Sequence, residues 1–205
     1  MKVTLVDYGA GNLPSVERAL QRLSADSLSA NTPECISKAD ALLLPGVGHY
    51  AALIRALDER GLRGALLDAL GRGVPFLGVC LGLQALYQAS DEAPELSGLE
   101  ILPGRVHALP ATCKLPHIGW NQLRAKRDCR LLEGVDAGAY FYFAHSYAAL
   151  APAEKTSPEV SATCTHGAEF IAVIEKENIH AVQFHPEKSS AAGARVLANF
   201  LRLAA

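Results

Sequence analysis

One cysteine stands where nucleophilic chemistry is easiest to build. Cys80 lies within Gly78-Val79-Cys80-Leu81-Gly82-Leu83-Gln84, with a glycine two residues away on each side. Upstream, Pro75-Phe76-Leu77-Gly78-Val79 is a short apolar run ended by small residues, as in a buried parallel strand. Downstream, Leu81 to Ala89 contains no proline and places Leu83, Leu86 and Tyr87 at helical spacing. This is the nucleophile-elbow pattern with Cys in the place of Ser. The glycines let strand and helix approach closely, the helix N-terminus favours thiolate, and the Leu81 N–H is placed to meet an oxyanion. Free cysteine is also among the most buried residue types, so these residues alone leave nucleophile and core packing both open.

A second candidate cluster, Gln183-Phe184-His185-Pro186-Glu187-Lys188-Ser189, follows the last apolar strand. A thiol with a free pKa of about 8.5 needs a base or a positive neighbour to react near neutrality. An imidazole does both, and a carboxylate two residues on fixes its tautomer. Singly, His185 reads as a strand-end histidine and Glu187 with Lys188 as a solvated pair. Together with the cysteine elbow they offer nucleophile, base and orienting carboxylate.

The elements that must position these groups change character along the chain. Val3 to Asp7 reads as a buried strand, then Tyr8-Gly9-Ala10-Gly11-Asn12 as a turn, and Val16, Ala19, Leu20 and Leu23 as one helix face opened by Pro14. The glycine-rich turn has neither the dinucleotide spacing nor the Gly-Lys-Ser/Thr ending of a phosphate loop. Residues 25–40 predict a poor edge strand and a short helix. Ala41 to Leu44 predict a strand ending in Pro45-Gly46-Val47-Gly48, followed by two helices, Tyr50 to Arg60 and Leu62 to Arg72. This alternation specifies a parallel sheet with covering helices, whose functional groups lie beyond the strands' carboxyl ends. Beyond residue 90 come a polar acidic loop (Ala89 to Gly98) and strand-like runs at Ile101–Leu109, Leu115–Leu123 and Ala139–Ala149. A hairpin is expected from Phe170–Ile174 and Ile179–Phe184, and a closing helix from Ser189 to Leu203.

Composition narrows the setting. The 205 residues fit one domain spanning 1–205, and 50% apolar with 20% charged residues is ordinary for a globular chain. A net charge of -2 gives no basic surplus for nucleic acid or an anionic membrane. No apolar run approaches the roughly 18 residues of a membrane span, and the N-terminus enters a strand without a signal-peptide layout. The five cysteines (35, 80, 113, 129, 164) form no Cys-x-x-Cys pair, which fits a reducing cytoplasm. Cys113 with His117 and Cys164 with His166 lack a second matching pair for a metal site.

The pairing of Gly-Val-Cys80-Leu-Gly-Leu-Gln84 with His185-Pro-Glu187 resembles the class I (triad) glutamine amidotransferases. Asp7-Tyr8-Gly9-Ala10-Gly11-Asn12-Leu13, Pro45-Gly46-Val47-Gly48, Pro116-His117-Ile118-Gly119-Trp120-Asn121 and His145-Ser146-Tyr147 narrow the resemblance. They point to the branch of glutaminase subunits that serve imidazole glycerol phosphate synthases in histidine biosynthesis. The resemblance runs nearly end to end. It implies an α/β fold, a three-layer, open, mostly parallel, flavodoxin-like sheet flanked by helices, with additional antiparallel strands in the C-terminal half. It also implies glutamine hydrolysis through a glutamyl thioester on Cys80, with His185 as base and acid and Glu187 orienting it. Val47 and Leu81 would supply the oxyanion N–H groups, and Gly48, Gln84, His145, Ser146 and Tyr147 would bind glutamine. No cofactor or metal is implied. A (β/α)8-barrel cyclase subunit would receive the ammonia in a heterodimer, with Asn12, Trp120, Tyr142 and Lys188 at the interface.

Pro14, His166 and Ala181 depart from the family's usual residue types, which bears on loop detail and partner fit rather than on the triad. Gly46 and Gly48 make the Val47 peptide cheap to flip, so regulation by the partner is an expectation. Other synthases of the same class, for anthranilate, aminodeoxychorismate, purines or pyridoxal phosphate, are rival destinations for the ammonia. A stand-alone cysteine hydrolase and a silent binding module are rivals of a different kind.

Overall fold

The fold is described from a computed structural model, which covers residues 2–151 and 157–205. Met1, the first residue of the strand-entering N-terminus, lies outside them. A sheet of eight strands runs through the molecule in the order β2-β1-β3-β4-β13-β12-β11-β8. Five of these are parallel: β2 (Asp26–Ala30), β1 (Lys2–Val6), β3 (Ala41–Gly46), β4 (Phe76–Cys80) and β13 (Ile179–Val182). The other three, β12 (Ala168–Lys176), β11 (Val160–His166) and β8 (Arg124–Ala125), continue it antiparallel.

Every residue of β3 and of β4 is buried, which is why these strands read as unbroken apolar runs rather than alternating ones. Leu42 and Leu44 join the core under α2 (Pro33–Ser37), α3 (Tyr50–Glu59) and α4 (Leu62–Gly71). Ala41 and Leu43 join the opposite core, under α1 (Leu13–Arg22) and α6 (Ser190–Leu203). The result is three layers, helices on both faces of a mostly parallel sheet. Among the described residues, no helix is long and apolar enough to cross a membrane.

Two smaller sheets complete the second half. β6 (Leu102–Ala108) pairs with β5 (Tyr87–Ser90) and β10 (Tyr147–Ala148), and β7 (His117–Gln122) pairs with β9 (Tyr140–His145). The predicted helix from Leu81 to Ala89 is corrected here. Its observed form, α5, spans only Leu81–Gln84 before the chain straightens into β5. The carbonyls that would continue it are taken by tertiary partners: Ala85 O accepts from Leu99 N–H at 2.7 Å, and Leu86 O from Ile101 and Leu102 N–H, each at 2.9 Å. The predicted hairpin forms with a tighter loop, Glu177-Asn178, between the paired residues Lys176 and Ile179. β11 had no counterpart in the sequence reading.

Candidate active site

Adjacent strand ends create the site. Val79 of β4 pairs with Val182 of β13, and Cys80 pairs with Gly46 of β3. The elbow, the Pro45–Gly48 turn and the His185 loop therefore leave one sheet edge from three neighbouring strands.

Cys80 has φ +55° and ψ -106°, the strained conformation that a nucleophile elbow imposes on a non-glycine residue. The strain persists because the packing around it leaves no alternative. A methyl group on Gly82 would strike Leu44 O, and one on Gly78 would lie 2.7 Å from Gly82 O. These glycines thus serve close backbone approach, as expected. Leu81 opens α5, so its N–H has no acceptor within its own helix.

His185 is buried and its Nδ1 lies 2.9 Å from Glu187 Oε1, with the two side chains only 2% and 3% exposed. Its Nε2 has no hydrogen-bond partner, and the ring shares a cavity with Cys80. Burial by itself lowers the His185 pKa. The Cys80 sulfur and the Glu187 carboxylate outweigh it and raise the value to about 10. Both neighbours thus favour the protonated form of the imidazole. Its loop is tied to β9: His185 N–H donates to Tyr142 O at 2.8 Å, Tyr142 N–H to Ser189 Oγ at 2.9 Å, and Ser189 Oγ–H to His185 O at 2.6 Å.

A cavity of about 450 Å³ opens between these groups, lined by Val47, Gly48, Cys80, Leu81, Gln84, His145, Ser146, Tyr147 and His185. Every residue expected to form the oxyanion hole or hold glutamine is therefore brought to one space. The exception concerns direction. Val47 N–H donates to the Tyr8 hydroxyl at 3.4 Å, so that N–H is engaged by the protein itself. The Tyr8 phenol is pushed above its ordinary pKa, chiefly by burial.

The wall formed by β9 and β10 is set by a run of neutral histidines. His145 Nδ1–H must donate to Tyr147 O (2.9 Å), because a carbonyl can only accept. His145 Nε2 then accepts from His117 Nδ1–H at 3.2 Å, and His117 Nε2 lies 3.4 Å from Asn121 Nδ2. Burial drives the His145 pKa down to about 3, against the Tyr147 hydrogen bond. Burial and then the stacked His166 bring His117 to about 4. Tyr147 O also receives Gln84 Nε2 at 2.8 Å, which leaves Gln84 Oε1 buried and unpartnered at the cavity.

Glu92 and Pro116 also line the cavity. Pro116 opens the Pro116–Asn121 motif without an expected site role, and the acidic composition of the Ala89 to Gly98 loop gives no sign that Glu92 turns inward. Its carboxylate accepts Tyr50 N–H at the start of α3 (2.8 Å) while facing the cavity. The four expected interface residues divide. Asn12 and Lys188 line the cavity, whereas Trp120 and Tyr142 pair across the β7–β9 ribbon, outside it. The Lys188 ammonium lies 5.5 Å from the Tyr142 ring centroid and links the two sets. The outer face of that ribbon leaves Ile118 63% and Trp120 49% exposed, an apolar patch of the kind that marks an interaction surface.

Chemically, the cavity provides a thiol, an imidazole beside it, and acceptors (Gln84 Oε1, the Glu92 carboxylate) suited to a substrate bearing an ammonium group and an amide. Residues 4–204 match the family described as "Glutamine amidotransferase class-I". The chain is 47% identical over 201 residues to "Imidazole glycerol phosphate synthase subunit HisH" of Methanothermobacter thermautotrophicus, covering 98% of each chain. It is 43% identical to the chloroplastic "Imidazole glycerol phosphate synthase hisHF" of Arabidopsis thaliana, matching 97% of this chain and 34% of that one. Among solved structures, "Crystal structure of glutamine amidotransferase" superposes with a TM-score of 0.76 at 20% identity, covering 98% of each chain.

Proposed function

Because the chain belongs to the class I glutamine amidotransferase family, we propose that it is a glutaminase supplying ammonia to a synthase partner, acting as one amidotransferase domain over 1–205. The observation that carries this reading is the convergence on one cavity of an elbow cysteine, Cys80, and a buried His185–Glu187 pair.

With its proton passed to His185, the Cys80 sulfur attacks the side-chain amide carbon of glutamine, forming the C–S bond while the carbonyl electron pair moves onto oxygen. The Leu81 N–H receives that oxyanion, joined by the Val47 N–H when Tyr8 releases it. His185 Nε2–H protonates the departing nitrogen, the C–N bond breaks, and ammonia leaves a glutamyl thioester. Water then attacks the thioester, His185 takes its proton, and cleavage of the C–S bond frees glutamate. Glu187 holds the imidazole through Nδ1. Gly48, Gln84, His145, Ser146 and Tyr147 hold the amino-acid part of glutamine, with Glu92 facing its ammonium.

The ammonia passes to a (β/α)8-barrel cyclase in a heterodimer, which makes imidazole glycerol phosphate and aminoimidazole carboxamide ribotide in histidine biosynthesis. The relatives' names support this destination, as does the Arabidopsis relative, of which this chain matches 34%. The cyclase docks on the Ile118–Trp120–Tyr142 face, beside Asn12 and Lys188. The cytoplasm is the compartment that fits five unbridged cysteines. The test is Cys80→Ala in complex with the cyclase: glutamine-dependent synthesis is lost and ammonia-dependent synthesis remains. Loss of both would make Cys80 a structural residue and overturn the assignment.

A further inference from the structure

Gln183 is fully buried and precedes the His185 loop, yet the reaction above gives it no role. Its side chain lies between the cavity wall and the nucleophile. Gln84 Nε2 is an obligate donor here because one of its partners is Tyr147 O, at 2.8 Å. Its other contact, at 3.1 Å, is Gln183 Oε1. That contact fixes the orientation of the Gln183 amide and turns its Nε2 toward Cys80, 3.5 Å from Sγ. A primary amide aimed this way presents an N–H donor to sulfur, and a donor to the charged form of a group favours that form. We propose that Gln183 is a catalytic residue whose side-chain N–H holds Cys80 as the attacking thiolate, an assignment that rests on the glutaminase reading.

The arrangement gives the thiolate a neutral donor in addition to the base. His185 provides positive charge from the loop after β13, and Gln183 provides a directed dipole. A dipole stabilises the anion without competing with His185 for the proton that the leaving nitrogen needs. As the C–S bond forms, sulfur loses its charge and the hydrogen bond weakens, so Gln183 acts before attack and not on the oxyanion. Other titratable groups around the sulfur are Tyr8 from the β1–α1 loop, Glu187 behind His185, His145 from β9, and Glu92 and Lys188 at the cavity. All of them stay unchanged when Gln183 alone is replaced.

The experiment measures alkylation of Cys80 by iodoacetamide against pH in the full chain, with the adduct read on the Cys80 peptide so that other cysteines do not interfere. Gln183→Met removes the donor at similar length, and Gln183→Leu removes it with a second apolar shape, neither adding charge. Both are expected to move the alkylation midpoint up by roughly one pH unit and to lower kcat for glutamine about tenfold at neutral pH. Ammonia-dependent synthesis with the cyclase stays at the wild-type rate, which reports intact folding and docking. A wild-type midpoint in Gln183→Met and Gln183→Leu, with that synthesis retained, would overturn the role of Gln183. Failure of an electrophilic glutamine analogue to label wild-type Cys80 would instead sink the glutaminase reading itself.

Discussion

The two halves of the site are built on different principles. The nucleophile half (β3, β4 and α5) is held by backbone packed on backbone, with Gly78 and Gly82 closing the space. The base half (β9, β13 and the His185 loop) is held by side-chain hydrogen bonds: Glu187 on His185, Ser189 between His185 and Tyr142, His117 behind His145. Backbone packing fixes where the Cys80 backbone stands and leaves only its sulfur to a side chain, Gln183. A side-chain network can shift by degrees, and so binding and partner sensing can be graded there.

Substitutions can break this contrast. The largest effect is expected in the base half, where His185→Asn removes proton transfer and should lower glutamine turnover by at least about 10³-fold while leaving ammonia-dependent synthesis intact. A steady-state assay in the complex checks this. In the elbow, Gly82→Ala would force a methyl against Leu44 O and should cost about 1–3 kcal/mol in urea unfolding, with activity falling because Cys80 is displaced. A Gly82→Ala protein as stable as wild type would refute the backbone-packing account.

Tyr8→Phe sharpens the comparison, since Tyr8 is where the N-terminal half uses a side chain. Freed of the Tyr8 hydroxyl, Val47 N–H becomes available to the oxyanion. Glutaminase activity of the isolated chain should rise several-fold, up to about 10²-fold, with little change in the activated complex. An unchanged basal rate would separate Tyr8 from oxyanion control. The last effect concerns pH. His117 and His145 have folded pKa values lowered to about 4 and about 3, so the unfolded chain binds their protons first. Their contribution to stability is full above about pH 6.5 and is lost as pH falls through those values. Denaturant unfolding from pH 7 to 4 should show this loss, with a shallower slope in His117→Asn.

The same contrast governs what could be read from the sequence. The elbow was legible because β4 and its glycines are contiguous and follow a strand-to-helix pattern. Strand and helix order to residue 80 followed from apolar periodicity for the same reason. The length of α5 was not legible, because Leu99, Ile101 and Leu102 compete for its carbonyls from outside the local window. Gln183 and Glu92 were hidden in another way: one sat inside a quoted motif without a role, the other in a loop judged only by charge. Tyr8 stood in the Asp-Tyr-Gly-Ala-Gly-Asn turn, but its reach to Val47 exists only once β1 and β3 are paired. The residue types of Cys80, His185 and Glu187 suggest a triad on their own, but the family resemblance is needed to join them and to name the expected glutamine contacts, since chain order alone does not say that β13 lies beside β4.

Trp120 and Tyr142 face each other on the exposed ribbon, and Tyr142 shares its backbone N–H and C=O with the His185 loop. A protein seated on that ribbon therefore presses on a lever whose other arm carries the base. Noise in the seating becomes noise in the position of an imidazole, so a loosely docked or mismatched partner would waste glutamine in proportion to its wobble. Selection on the economy of nitrogen would then act on the stiffness of this ribbon as strongly as on the residues that touch the substrate.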